Sequence, residues 1–535
     1  MLSEQTIIML AVTFCGAART VTGSQYFLEY TAPDGSKFNF CLDSGMFQVG
    51  QKLNLYKLNS YLVFDPKNLD CIVLTHAHLD HCGRIPYLVK MGFGGKIYST
   101  EATKQIAEVV MRDAAKHNAD GYFVQNFSGI IDEGTSKSLK ETGGKFDANN
   151  LNPDSYQEPV AKFKFKGNSA SNVHSSPSSS SLPVLYTDIE VDSTMGRFST
   201  HGYLEKFKIH PNLEVEFHDA GHILGSAFVI FTEISSGKQI VFSGDLGNQN
   251  KPIIQDPEMP ASPAGLTHIF IETTYGNRNH PKVETKLHLR DITKKTLRRG
   301  GKLLIPSFSV ERAQEVIYYL VELMREGKIE QVPIFLDSPM ASKVLEICLQ
   351  HPELYDEEMK QKIANKLNPL HYKNLKILET AMQSKTINTN HKPCILIAGS
   401  GMLNGGRILK HLQFHLNNPL NTLLFVGYQA EGTLGRKILD GEKEVLIEEK
   451  MVEVLAQLET MNEFSAHADR RILKNWVVSL TKDLNIASAD KVPTVFLMHG
   501  EKEASLAFGQ ELESSFLSKI KTYWPRFSER LVLWE

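Results

Sequence analysis

The sequence has no C-x-x-C pair, and its six cysteines (Cys15, Cys41, Cys71, Cys82, Cys348 and Cys394) are not spaced as a zinc finger or a disulfide framework. In a chain of this size that pattern predicts free thiols in a reducing compartment. An excess of charge of one sign is missing too. The net charge is −3 and the pI about 6.7. This excludes the global basicity of a histone-like binder, so contact with nucleic acid must come from a local groove. Long apolar runs are also absent. The run from Ile7 to Ala18 is too short to span a bilayer as a helix. It follows Glu4 and no Lys or Arg, unlike a secretory signal. It reads as a buried strand, Ile7 to Phe14, entering a turn at Gly16, and the cytoplasm is the expected location. What remains is an ordinary globular composition, 42% hydrophobic and 22% charged over 535 residues. That length admits two or three domains with a core large enough to need no staples.

Element order follows from pattern. Lys37 to Leu42 is strand-like and ends at Asp43-Ser44-Gly45. Cys71 to Thr75 is a short apolar strand ending in a histidine-rich loop. Thr100 to Lys116 predicts a helix with Thr100 as N-cap. After residue 200, Glu214 to Phe217 runs into His218-Asp219-Ala220-Gly221-His222, and Gln239 to Ser243 into Gly244-Asp245. Thr267 to Ile271 then runs into Glu272-Thr273-Thr274-Tyr275-Gly276. From about 284 to 430 strands alternate with helices, which argues for a parallel α/β sheet. Thr494 to Met498 is a strand ending at His499-Gly500-Glu501. Leu531 to Trp534 reads as an edge strand or a dimer contact.

From about Asn118 to Pro183 the pattern fails. This stretch is rich in Gly, Ser and Asn and reads as an insertion with a disordered core. Within it Lys162, Lys164 and Lys166 alternate with Phe163 and Phe165. That is the pattern of a half-buried strand; contact with nucleic acid is the alternative.

The densest signal is His76-Ala77-His78-Leu79-Asp80-His81, four potential ligands directly after a strand. Imidazole with carboxylate suits zinc or a similar divalent ion. One ion cannot easily take all four from so short a loop, so two adjacent ions are expected. His222, Asp245 and His499 each lie just past a strand end, where side chains of a layered sheet converge, and are the further candidate ligands. Asp245 is the candidate bridging carboxylate, and Asp43 the candidate for orienting a ligand or a bound water. A lone histidine such as His222 or His499 is more often an ordinary buried or surface side chain. The 76–81 cluster is not, because dense His/Asp packing is costly to bury without a metal. Cys82 reads as a buried thiol.

This cluster resembles that of the metallo-β-lactamase superfamily, with Asp43, His222 and Asp245 in that superfamily's order. The Glu272–Gly276 string, Phe464-Ser465-Ala466-His467 and Met498-His499-Gly500-Glu501 are similar to its β-CASP branch of RNA-processing nucleases. So are Pro306-Ser307-Phe308, Asp337-Ser338-Pro339-Met340 and Ser400-Gly401-Met402. The likeness covers nearly all of the chain outside 118–183. It implies an α/β fold, a four-layer αββα metallo-β-lactamase domain with an inserted α/β β-CASP cap. Residues 1–276 and 463–535 would form the first and 277–462 the cap, with the active site between them.

The resemblance further implies two zinc ions per chain. One would take His76, His78, His222 and Asp245, the other Asp80, His81, Asp245 and His499. A histidine at 499 is similar to the RNA-cutting members, so RNA, single-stranded, is the expected substrate. The implied reaction is hydrolysis of phosphodiester bonds by a two-metal-activated hydroxide, leaving a 5′-phosphate and a 3′-hydroxyl. His467 is the candidate general acid and Glu272 the carboxylate at its other ring nitrogen; Asp80 is counted with them as catalytic. Ser307, Ser338, Ser400 and Gly401, near predicted helix starts, are candidate substrate contacts with Arg312 and Arg407. The plain alternative is helix caps and surface arginines.

Two departures stand out. Glu311 occupies a position where many relatives have glycine, either weakening a phosphate contact or facing solvent. The 118–183 insertion is longer than the family norm. The chain shows no obvious C-terminal RNA-binding extension and resembles the compact type of the branch. The competing readings are a hydrolase of a small thioester or lactone, and a non-catalytic RNA-processing subunit. The 277–462 segment with His467 argues against the first, and the full ligand set against the second.

Overall fold

The computed structural model describes residues 8–48, 52–119, 183–281, 283–430, 432–484, 492–515 and 520–534. Nearly all of the expected insertion, with its serine run and its Lys/Phe alternation, lies outside the described residues.

Two seven-stranded sheets carry the termini. The first runs in the order Arg530–Trp534, Met9–Phe14, Tyr26–Thr31, Lys37–Leu42, Cys71–Val73, Lys96–Ser99, Phe198–Thr200. The second runs Lys521–Tyr523, Thr494–Met498, Leu266–Glu272, Gln239–Phe242, Ala227–Glu233, Leu213–Asp219, Lys206–His210. Burial alternates along Tyr26–Thr31, turning Tyr26, Leu28 and Tyr30 inward. Leu28, Phe40 and Val73 of the first sheet share one apolar layer with Val229, Phe231 and Phe242 of the second. Phe40 meets Phe231 at 5.3 Å between ring centres. The outer face of the second sheet (Phe228, Val241, Ile269, Ile271) packs on helix Arg470–Thr481 through Ile472, Leu473 and Trp476. The outer face of the first (Ile72, Leu74, Ile97) packs on helix Glu101–Ala119 through Ile106 and Met111. The layers are therefore helix, sheet, sheet, helix, as expected.

A third sheet of six parallel strands runs Leu375–Ile377, Ile334–Asp337, Ile395–Ala398, Leu303–Pro306, Thr422–Phe425, Gln457–Thr460. Its inner strands are continuous apolar runs because helices cover both faces. Helices Arg312–Arg325 and Pro339–Gln350 lie with Ile305 and Ile397 on one side. Helix Arg407–His415 lies with Leu304, Leu396 and Leu423 on the other.

Arg530–Trp534 pairs antiparallel with Met9–Phe14 at the edge of the first sheet, and Trp534 donates to Thr267 Oγ1 at 2.8 Å. The C-terminal segment is therefore an edge strand. All six cysteines are buried and free. Among the described residues no helix is long and apolar enough to cross a membrane.

Candidate metal centre

Four strand ends deliver the donor side chains. The strand Cys71–Val73 leads to His76, His78, Asp80 and His81. The strands Leu213–Asp219, Gln239–Phe242 and Thr494–Met498 lead to His222, Asp245 and His499. His78 is extended and precedes the short helix Leu79–Cys82, so Asp80 and His81 turn away from the histidines before them.

The donors form two groups. His78 Nδ1 lies 3.1 Å from His76 Nε2 and 3.1 Å from His222 Nε2. Asp245 Oδ2 lies 3.5 Å from His76 Nε2 and 3.7 Å from His222 Nε2. A tetrahedral ion with ligands at about 2.0–2.1 Å would separate its donors by roughly 3.3 Å, so these four atoms fit one. In the second group Asp80 Oδ2 lies 3.3 Å from His499 Nε2, and His81 Nε2 lies 3.3 Å from Asp245 Oδ2. Asp245 Oδ1 faces His499 Nδ1 at 3.6 Å and is buried with no hydrogen-bond partner. One carboxylate thus touches both groups.

Protonation of the first donor group fits the same use. Burial and the neighbouring imidazoles hold His76 and His222 well below the usual histidine range. Burial lowers His78 to about 4. A neutral imidazole keeps a lone pair for a cation. Burial works against an ionised Asp245, but His499 and His81 outweigh it and hold the carboxyl well below its usual range.

Asp43 sets ring orientation. It accepts from His81 Nδ1 at 2.8 Å, from Thr75 N at 2.8 Å and from Thr75 Oγ1 at 2.9 Å. His81 is left with Nε2 as its donor atom toward the pocket. Thr75 Oγ1 also lies 3.1 Å from His76 Nδ1, and Thr274 Oγ1 lies 3.2 Å from His499 Nδ1. Neither threonine is marked by the ligand pattern; the only signal in the sequence is their position, beside His76 and inside the Glu272–Gly276 string. Asp43 and His499 hold left-handed backbone, φ 56° and 45°. That conformation is strained for residues with a Cβ and clusters at functional sites. Two glycines allow the ligand loops to touch. A Cβ on Gly45 would fall 1.5 Å from Asp80 O, and one on Gly247 would fall 1.6 Å from Gly221 O.

His467 closes the rim. Its Nδ1 lies 3.0 Å from Glu272 Oε1 and its Nε2 4.0 Å from Asp245 Oδ2. Burial disfavours its charge, but Glu272 and Asp245 outweigh it and hold the imidazole up at about 10. The side chain keeps 22% of its surface exposed.

The cap residues fall out differently. Of the three candidate serines only Ser338 caps a helix, accepting from Ala341 N at 3.2 Å. Ser307 donates to Phe308 O at 3.0 Å, and Ser400 accepts from Asn404 N at 3.1 Å; both sit in loops before helices that start at Arg312 and Arg407. Gly401 lies against Phe308, whose ring would be 3.0 Å from an added Cβ. Ser309 Oγ meets Ser338 Oγ at 3.1 Å, so these loops converge at one edge of the sheet. The arginines are paired within the protein. Arg312 is buried, donates to Val426 O and lies 3.7 Å from both Glu311 and Glu315. Arg407 donates to Asp337 Oδ1 at 2.6 Å and to the carbonyls of Leu378 and Glu379 at 2.9 Å. Carboxylates and backbone carbonyls thus hold both guanidinium groups within the protein, with Arg312 Nε and Glu315 Oε2 left buried without a hydrogen-bond partner. Glu311 does not face solvent either. Its φ is 65°, a conformation that suits glycine, and burial followed by Glu315 pushes its carboxyl up to about 8.

A pocket of imidazoles and carboxylates at the strand ends of an αββα sandwich is the site of a metallo-hydrolase. Comparison with known families places it further. A profile described as the metallo-beta-lactamase superfamily matches residues 20–147. The Beta-Casp domain matches 313–438, and the Zn-dependent metallo-hydrolase RNA specificity domain matches 451–525. Ribonuclease TTHA0252 of Thermus thermophilus is 34% identical over 93% of this chain and 94% of its own. The RNase J-like protein of Methanocaldococcus jannaschii is 27% identical over 86% of this chain and 88% of its own. The transcription termination factor FttA of Methanosarcina mazei is 30% identical over 86% of this chain, which spans 62% of that longer protein. The chain belongs to the β-CASP branch of the metallo-β-lactamase superfamily.

Proposed function

We propose that this chain is a zinc-dependent ribonuclease that hydrolyses single-stranded RNA to 5′-phosphate and 3′-hydroxyl products. The observation that carries the reading is His467, backed by Glu272 and set 4.0 Å from Asp245 at the rim of the pocket. A 3′ alkoxide is a poor leaving group and needs a proton; the thiolate of a thioester needs no such donor. The ribonuclease named among the relatives supports RNA.

Two zinc ions are assigned, one to His76, His78, His222 and Asp245, the other to Asp80, His81, His499 and the shared Asp245. When bound, such ions supply an acidified water and neutralise charge on the phosphoryl oxygens. The chain does the rest. Asp43 and Thr75 hold His81 and His76 in register. Glu272 keeps His467 protonated, and the proton on Nε2 passes to the departing 3′ oxygen. The loops bearing Ser307, Ser338, Ser400 and Gly401 line the path of the strand. In this reading residues 1–276 and 463–535 form the catalytic domain and 277–462 the cap. Sheet membership supports that division, since Gln457–Thr460 still belongs to the six-stranded sheet.

The test uses zinc-loaded protein with 5′-labelled and internally labelled single-stranded RNA, with DNA as control. RNA is cut, DNA is spared, and product lengths separate endonuclease from exonuclease action. His467→Ala keeps its zinc and loses turnover by roughly 10²–10⁴-fold, the usual share of a general acid. Equal cleavage by that variant removes His467 from the reaction.

A further inference from the structure

Lys251 lies six residues beyond Asp245 and is buried at 9% exposure. Between the two, the chain pairs with the segment that carries His467. Ala468 N donates to Leu246 O at 2.8 Å, Asn248 N donates to Ala466 O at 2.9 Å, and Gly247 bridges His467. The Lys251 ammonium then donates to Glu463 O at 2.8 Å and to Glu315 Oε1 at 2.9 Å. Glu315 belongs to helix Arg312–Arg325 of the six-stranded sheet, and Glu463 opens the run into His467. Phe464, fully buried, has Lys251 Nζ 5.8 Å from its ring centre and Arg312 Cζ 5.7 Å away. Three segments meet at one ammonium: the loop after Asp245, the cap helix, and the approach to His467.

Burying an ammonium is expensive, and an apolar side chain of similar volume would often stabilise such a place as well or better. What the charge adds is direction. It ties one backbone carbonyl and one carboxylate to a fixed point, four residues before His467.

We propose that Lys251 is a positioning residue, holding the 463–467 segment so that His467 stays aimed at the leaving oxygen above the metal pocket. The inference rests on the reading of His467 as the general acid. A proton donor displaced by about 1 Å can lose on the order of 10²-fold in rate without any loss of binding.

The experiment compares two substrates on the zinc-loaded protein. RNA leaves as an alkoxide and needs the acid. Bis(p-nitrophenyl) phosphate leaves as a stable phenolate and does not. Lys251→Met lowers kcat on RNA by about 10²-fold, with KM and bound zinc unchanged and the nitrophenyl ester still hydrolysed near the wild-type rate. Because Lys251→Met strands Glu315, the double variant Lys251→Met/Glu315→Leu is made beside it. It regains thermal stability and does not regain RNA cleavage. Recovery of RNA turnover together with stability would overturn the proposal. So would equal loss on both substrates in Lys251→Met, provided His467→Ala is selective for RNA. Equal loss on both substrates in His467→Ala would instead overturn the acid reading, and the Lys251 inference with it.

Discussion

The metal pocket and the cap-sheet edge are built alike, from loops leaving the C-terminal ends of strands, yet their polar groups end in opposite states. In the pocket, imidazole nitrogens and carboxylate oxygens converge. His78 Nδ1 lies 3.1 Å from Nε2 of both His76 and His222, and Asp245 Oδ1 is buried without a hydrogen-bond partner. Around Asp337 at the cap-sheet edge, charges are matched internally. Asp337, fully buried, accepts from Arg407 at 2.6 Å and from Ser384 at 2.6 Å, and lies 2.6 Å from His411 Nε2. Convergent acceptors with no donor are the signature of a cation site. Acceptors already supplied with donors are the signature of a scaffold.

The sharpest way to break this contrast is Asp245→Ala, which removes the carboxylate common to both donor groups. Zinc by elemental analysis is expected to fall to trace levels and RNA cleavage to background. Retention of one ion per chain would show that the two halves of the pocket bind independently. Asp43→Asn is milder, because it leaves all seven donors in place and loosens only the orientation of His81. Zinc affinity, read by chelator competition, is expected to drop about 10–100-fold, with turnover returning at saturating zinc. An unchanged affinity would reduce Asp43 to a packing role.

Glu272→Gln tests the rim. Glu272 favours the imidazolium and so holds the proton on His467 to higher pH. Without that charge the proton leaves at lower pH. The alkaline limb of kcat/KM for RNA is therefore expected to shift to lower pH. A limb that stays in place belongs to some other group. Arg407→Ala should have the smallest effect on the reaction. Losing its charge-assisted bonds to Asp337 is expected to cost about 1.5–3 kcal/mol of stability, read by urea unfolding. RNA affinity and its salt dependence should stay as they are. A salt slope reduced by about one unit with stability unchanged would restore Arg407 to the phosphate path.

Much of this was legible along the chain. Cys71–Val73, Gln239–Phe242 and Thr494–Met498 are short apolar strands bounded by polar turns, and local pattern suffices to mark such elements. The seven donors could be named because each follows a strand end and four lie within six residues. The cap's sheet was legible for the same reason, as alternating apolar strands and amphipathic helices.

What only the tertiary structure decided is which atoms meet. His81 turns Nδ1 to Asp43 and Nε2 to Asp245, a choice made by a loop 38 residues away. Arg312 and Arg407 resemble phosphate ligands in one dimension and are absorbed by buried acceptors in three. Lys251 carries no motif at all, and its partners are Glu315 and Glu463. Periodicity is a property of neighbours in sequence and can be read there. Desolvation and pairing depend on what folding brings close, and no local pattern contains that.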